Sequence, residues 1–162
     1  MRSTSKAALA GRCTDGTEPM AAAEVVPPDS AILVIAHGSR RAEANDDLLK
    51  LAELLRSRTS YPIVQPAFLE LAEPDIPAGG RQCAERGAKH VLMLPWFLSA
   101  GRHVVDDLER YRRQLEAELP GVRFTVCPPL GLHPLMIDVA AARLQEGLAS
   151  RATSGSSGSG TS

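Results

Sequence analysis

One stretch decides the fold: Ala31-Ile32-Leu33-Val34-Ile35-Ala36-His37-Gly38-Ser39-Arg40. An apolar run with no polar alternation predicts a central parallel strand that is buried on both faces. His37 follows at its carboxyl end, where open α/β sheets bind their ligands. Gly38 permits a sharp turn or a close approach of the backbone, and Ser39 and Arg40 offer hydrogen-bond donors. A histidine that merely caps the strand is the competing interpretation.

The rest of the chain alternates in the same way between apolar runs and amphipathic segments. Strands are expected at about 63–69, 91–98 and 122–127. Helices are expected at about 42–58, from Asp75 to near Gly87, from after the loop 99–103 to Pro120-Gly121, and from His133-Pro134 to about Leu148. Pro66 cannot donate to a ladder, so the second strand is expected at an edge. Because right-handed crossovers place helices on both faces of a parallel sheet, the pattern predicts an α/β fold: a four-stranded parallel sheet, flavodoxin-like and doubly wound.

The length of 162 residues suits one domain of ordinary size. We predict a globular domain over residues 30–149, a disordered extension over 1–29 and a flexible Ser/Gly tail over 150–162. Met20 is a possible alternative start of the chain, and a transit peptide is the alternative interpretation of the first segment, although Asp15 and Glu18 disfavour it.

Charge and cysteine content exclude several classes of protein. With 18 Lys and Arg against 19 Asp and Glu, the net charge of -1 gives no electrostatic reason to expect nucleic acid or an anionic membrane as a partner. No apolar run approaches the length of a membrane span. Cys13, Cys83 and Cys127 are widely spaced and fit neither a disulfide framework nor a thiolate zinc site, which favours a reducing cytoplasm.

Three residues with metal-ligand chemistry each follow a predicted strand: His37, Glu70 and His103. Because the carboxyl ends of parallel strands share one sheet edge, their side chains are expected to converge on one crevice. Two imidazoles and a carboxylate suit Fe(II), Co(II), Ni(II) or Zn(II), and three ligands leave positions open. Singly, Glu70 could instead be solvated or pair with Arg40, and His103 could cap its helix.

Other residues near this edge suggest a ligand with both apolar and acidic parts. Large apolar side chains at the third strand exit could wall a planar ligand, form a subunit contact or simply be core. Nearby arginines in a neutral chain suggest carboxylates or phosphates on the ligand. These residues are Trp96, Phe97 and Leu98 in the apolar set and Arg40, Arg41 and Arg102 in the basic set. His90 precedes the third strand and is interpreted as structural, whereas His133 is a weaker candidate for an outer role.

Three segments in order resemble the sirohydrochlorin chelatases, the small class II tetrapyrrole chelatases: Ala36–Arg40, Phe68–Ile76 and Leu94–His103. The resemblance runs from about Ala31 to Leu148. It implies insertion of Co(II) or Fe(II) into sirohydrochlorin without nucleotide hydrolysis, with the metal as substrate and no permanently bound cofactor. Longer members contain two such halves, so the resemblance implies that this single half forms a homodimer.

The resemblance also implies roles for the residues singled out above. The matching His37, Glu70 and His103 would bind and deliver the metal, with His37 a ligand and base, His103 a second ligand and proton acceptor, and Glu70 attracting the cation. The apolar set would seat the macrocycle, and the basic set, with Ser39, would bind its periphery.

Two other functions remain open on the sequence. A metal-dependent hydrolase would need a further base such as Glu73 or Asp106, and a metal or tetrapyrrole carrier would use the same pocket without turnover. Serine hydrolysis is disfavoured, because Ser39 is not in a G-x-S-x-G elbow.

Overall fold

The computed structural model describes residues 26–99 and 101–154, with side chains described up to residue 150. Strands and helices alternate throughout, as predicted. The strands are β1 (Ser30–Ala36), β2 (Ile63–Phe68), β3 (His90–Pro95) and β4 (Arg123–Val126), and the helices are α1 (Ala42–Arg58), α2 (Ile76–Glu85), α3 (Arg102–Glu118) and α4 (Pro134–Ser154). Residues 1–25 and 155–162, which hold most of the predicted extension and tail, lie outside the described residues.

The four strands form one parallel sheet in the order β2-β1-β3-β4. The opening apolar run is a central strand, and residues 30–35 are all buried. The strand β2 lies at an edge, as expected from Pro66, which pairs in register with Val34. The order places the exits of β1, β2 and β3 side by side at one edge of the sheet.

Helices cover the sheet on both faces, but unequally. On one face, Leu48 and Ala52 of α1 pack on Ile32 and Val34. On the other, α2 and α3 bury a larger cluster against the alternate β1 residues, and this core includes Leu33, Ile35, Ile76, Cys83, Leu108 and Leu115. The period-two alternation of β1 therefore supplies both cores from one strand.

The helix α4 departs from the expected arrangement. Residues 137–150 are all exposed, and within the described residues α4 has no extensive contact with any other element. It therefore does not cover the sheet, and the α1 face is left open over β3 and β4. The helix also continues to Ser154, past its predicted end near Leu148, so the first residues assigned to the tail are helical.

Candidate functional site at the carboxyl edge of the sheet

His37 and Glu70 lie beside each other where β1 and β2 end. The parallel pairing of the two strands continues past their last residues, because the Leu69 amide donates to the Ala36 carbonyl oxygen (2.8 Å) and the Glu70 amide donates to the His37 carbonyl oxygen (3.0 Å). Both side chains are exposed. An imidazole and a carboxylate are thus presented to solvent from adjacent backbone positions.

The close approach of these two segments depends on Gly38. Its φ of 91° lies in the left-handed region that side chains disfavour. A Cβ at this position would overlap the carbonyl oxygen of Glu70 and would come within 3.3 Å of the Phe68 Cβ. The glycine after His37 is therefore required by packing as well as by backbone conformation.

Hydrogen bonds hold the loop that carries Glu70 at the end next to α2. The Phe68 amide donates to the Pro74 carbonyl oxygen (2.9 Å), and the Asp75 amide donates to Glu73 Oε2 (3.0 Å). Asp75 then caps α2 by accepting from the Ala78 amide (2.7 Å), as predicted. The segment between β2 and α2 is held by its own hydrogen bonds, which fixes the position of Glu70.

Phe97 packs against the ring of His37. Its ring centroid lies 4.5 Å from that of His37, with the planes tilted by 39°, and only 6% of the residue is exposed. Val91, Met93, Pro95 and Phe97 alternate inward, which leaves Trp96 (42% exposed) and Leu98 (66% exposed) facing outward. That Phe97 walls the substrate together with these two residues stays a prediction.

His103 lies on a different element from His37 and Glu70. It lies in the first turn of α3 and is exposed; the loop from β3 to α3 includes residue 100, outside the described residues. Of the residues that the structure describes, no three His, Cys, Asp or Glu side chains lie close enough to hold one metal ion. The structure thus brings together two members of the predicted set and leaves the third on a neighbouring element at the same sheet edge.

Three arginines expected around this edge are exposed: Arg40, Arg41 and Arg102. None of them forms an ion pair with another described residue. Ser39 has a local role, because its Oγ accepts from the Arg41 amide (3.1 Å) and its carbonyl oxygen accepts from Asn45 (2.9 Å), which shapes the start of α1. The guanidinium groups therefore remain available to an anionic ligand.

Neither of the other two histidines belongs to the His37–Glu70 pair. His90 is the first residue of β3, at the opposite edge, and its Nε2 lies 2.9 Å from Thr125 Oγ1. His133 precedes α4, and its Nδ1 accepts from the Leu135 amide (3.3 Å).

The fold and this edge define a doubly wound α/β protein with an exposed imidazole–carboxylate pair at its ligand-binding end. The family model of CbiX matches residues 31–147. A chloroplastic sirohydrochlorin ferrochelatase of Arabidopsis thaliana is 40% identical over 114 residues, which are 70% of this chain and 51% of that protein. A sirohydrochlorin cobaltochelatase of Priestia megaterium is 33% identical over 77% of this chain and 40% of its own length.

Solved structures show the same fold. A CbiX protein from Marinobacter aquaeolei superposes with a TM-score of 0.65 at 30% identity, over 74% of this chain and 97% of that one. The sirohydrochlorin chelatase SirB from Bacillus subtilis subspecies spizizenii, solved in complex with cobalt, gives a TM-score of 0.68 at 27% identity, over 73% of this chain and 50% of that one.

The chain belongs to the CbiX family. It spans about half the length or less of the two curated relatives described above. Among the described helices, none has the length and apolarity needed to cross a membrane.

Proposed function

We propose that this protein inserts a divalent metal ion, Co²⁺ or Fe²⁺, into sirohydrochlorin without nucleotide hydrolysis. The observation that carries the proposal is the exposed His37, held by Phe97 beside Glu70 at the ligand-binding edge. Relatives named for both metals support the reaction class. The metal is a substrate that enters as two pyrrole N–H protons leave, so the reaction needs no resident cofactor.

The proposed metal path uses all three residues of the predicted set. Glu70 attracts the hydrated cation, and His37 binds it and accepts a pyrrole proton, since a neutral imidazole is a base suited to neutral pH. General-base assistance of this kind contributes roughly 10²- to 10⁴-fold in rate. His103, in the first turn of α3 at the same edge, acts as second ligand and proton acceptor. An open set of ligands suits an ion that must be released to the product.

The proposed seat for the macrocycle combines an apolar surface with a basic rim. Trp96 and Leu98 expose their side chains after β3, and flat apolar rings pack favourably on such side chains. The unpaired arginines Arg40, Arg41 and Arg102 are suited to the carboxylates of a carboxylate-rich tetrapyrrole.

Metal insertion is tested with the full chain, sirohydrochlorin and Co²⁺ or Fe²⁺ under anaerobic conditions, by following the Soret absorbance. We expect many products per chain and a rate reduced at least tenfold by His37→Ala and by Glu70→Gln. Glu85→Gln, an exposed carboxylate on α2, is the matched control and keeps the rate. Product formation that stops at one per chain would instead indicate a carrier. The proposal is contradicted if adding the metal causes no spectral change.

We also propose that the protein is a homodimer in which each chain places α4 on its partner. The helix exposes a stripe at helical spacing, with Ile137 58%, Leu144 70% and Leu148 65% exposed. The sheet has a matching open area around Leu92 and Thr125, on the α1 face of β3 and β4, where the helix after the last strand of a doubly wound sheet would lie. This chain covers only half of the cobalt-bound chelatase, which supports an assembly of two such halves.

The dimer is tested by sedimentation equilibrium. We expect twice the chain mass for the wild type, and a monomer for the double variant Ile137→Glu with Leu144→Glu. Leu54→Glu places the same charge at a comparably exposed leucine of α1 (52% exposed) and is expected to remain dimeric. A wild-type monomer with full activity would contradict this proposal.

We propose a reducing compartment, the cytoplasm, as the location. Cys83 and Cys127 are both free thiols, as expected where glutathione keeps cysteines reduced. The product would serve cobalamin synthesis if the ion is cobalt and sirohaem synthesis if it is iron.

A further inference from the structure

A cleft lies at the opposite, amino-terminal edge of the sheet. It has a volume of about 420 Å³ and is lined by Pro27, Asp29, Ser30, Lys89, His90 and Arg123. Ser30, His90 and Arg123 form one row across β1, β3 and β4, in register. The rise of about 3.3 Å per residue places this row roughly 20 Å from the far end of β1, where His37 begins the candidate active site.

Ser30 is the unusual member of this row. The residue is only 2% exposed, and its Oγ has no hydrogen-bond partner among the described residues. A buried hydroxyl without a partner is unfavourable, because it has lost water and gained nothing in exchange. A ligand that offers an acceptor oxygen in the cleft would remove this cost.

The charged groups around Ser30 favour an anion. Lys89 and Arg123 are exposed cations, and neither forms an ion pair with a described residue. Asp29 is the single acidic residue in the lining. The backbone holds these groups together, because the Lys89 amide donates to the Asp29 carbonyl oxygen (2.7 Å) and the Arg123 amide donates to the Lys89 carbonyl oxygen (2.9 Å).

His90 also experiences the positive charge of this edge. Its Nδ1 lies 3.4 Å from Arg123 Nη2, and its Nε2 lies 2.9 Å from Thr125 Oγ1. Burial, and then the charge of Arg123, lower the pKa of His90, while Asp29 opposes them. An anion in the cleft would oppose the same positive charge.

We propose that this cleft binds a phosphoryl group, either free phosphate or a phosphate monoester. A hydroxyl, an ammonium and a guanidinium provide donors of three kinds, which match the several acceptor oxygens of a tetrahedral dianion better than the two oxygens of a carboxylate. The volume exceeds that of phosphate alone and leaves room for a small organic group. The site is separate from the proposed metal-insertion edge and does not depend on the proposed activity. It adjoins the strip around Leu92 and Thr125 that a partner's α4 would cover in the proposed dimer, because His90 contacts Thr125, so binding is measured on the wild type and on the variant Ile137→Glu with Leu144→Glu.

The test is isothermal titration calorimetry of the full chain at fixed ionic strength, with inorganic phosphate, glycerol 3-phosphate and acetate as probes. We expect saturable binding of one phosphoryl probe per chain and at least tenfold weaker binding of acetate. Tighter binding of inorganic phosphate identifies the free anion as the ligand, and tighter binding of glycerol 3-phosphate identifies a monoester. Absence of saturable binding by both, or equal binding of acetate, overturns the proposal.

Variants separate this site from general surface charge. The double variant Lys89→Gln with Arg123→Gln should weaken phosphoryl binding at least tenfold, and Ser30→Ala should weaken it about threefold or more. Lys50→Gln with Arg113→Gln removes one lysine and one arginine from α1 and α3 and is expected to bind within twofold of the wild type. Equal weakening in both double variants overturns the site. If the first double variant does not fold, the wild-type His90 ring resonances decide, because phosphate should shift them and acetate should not.

Discussion

At Gly38 the loop after β1 passes so close to Glu70 that no side chain fits. The position combines a φ of 91° with contact to the backbone of the neighbouring segment, whereas Gly87 combines a φ of 97° with open space. Backbone conformation alone therefore favours glycine at Gly87, whereas both backbone conformation and close packing require it at Gly38. Only at Gly38 would an added methyl group displace the pair of candidate metal ligands.

We expect Gly38→Ala to lower the free energy of unfolding more than Gly87→Ala does. Left-handed backbone costs an alanine about 1–2 kcal/mol, and this is the whole effect expected at Gly87. At Gly38 the clash with Glu70 adds to it, so we expect a total of about 3 kcal/mol and a loss of metal insertion. Urea unfolding and the Soret assay measure the two effects, and equal destabilisation by both variants would contradict the packing argument.

His90, at the amino-terminal edge of the sheet, makes a pH-dependent contribution to the stability of the fold. Burial and Arg123 lower its pKa from the ordinary value of 6.5, so the fold favours the neutral ring. The stability that this form contributes is present above pH 6.5 and is lost as the pH falls towards the lowered pKa. Arg123→Gln should raise the pKa of His90 in an NMR titration, and Arg113→Gln should leave it unchanged. An unchanged pKa in Arg123→Gln would show that the contact is not electrostatically coupled.

Among the elements, β4 packs on α3 through the buried core and is also hydrogen-bonded to it by one carboxylate. As an edge strand, β4 has backbone amides that no neighbouring strand can accept from. Glu116 supplies the acceptor: its Oε1 receives the Phe124 amide (3.1 Å), and its Oε2 receives Arg112 Nη1 (2.6 Å). Glu116 therefore accepts hydrogen bonds both from an outward-facing amide of β4 and from an arginine of its own helix.

Glu116→Ala should lower the free energy of unfolding by about 1.5–3 kcal/mol, the range for hydrogen bonds to charged groups. Glu118→Ala is the matched control on the same helix, because Glu118 pairs with side chains at the surface, where such pairs contribute about 0–1 kcal/mol. Chemical denaturation compares the two variants. Equal effects would show that the Phe124 amide finds water instead.

The sequence predicted the helices and strands better than it predicted how they pack against one another. The continuous apolar runs at residues 31–36 and 91–98 indicate buried strands, and Pro66 indicates the edge, because these signals come from local chemistry. The position of α4 does not follow from its own amphipathic pattern, which says that one stripe is buried but not against what. His103 was predicted in the loop that leads into the third helix, whereas it lies in the first turn of α3. Its distance from His37 depends on a loop conformation that residue spacing does not determine.

For the whole molecule, the proposed dimer predicts that the stability of the fold depends on protein concentration. If folded chains pair through this helix, mass action stabilises the native state as the protein becomes more concentrated. We expect the urea midpoint of the wild type to rise over a hundredfold range of protein concentration. The variant with Ile137→Glu and Leu144→Glu should show a constant midpoint, and a constant midpoint for the wild type would contradict the proposed exchange of α4.

The open strip over β3 and β4 affects how such a protein folds and assembles. In the proposed dimer, a newly made chain cannot finish its own fold, because the last layer arrives with another molecule. Maturation then ends in a bimolecular encounter, and its half-time lengthens as expression falls. A cell that makes few copies would leave them longer in an unfinished form that proteases can attack.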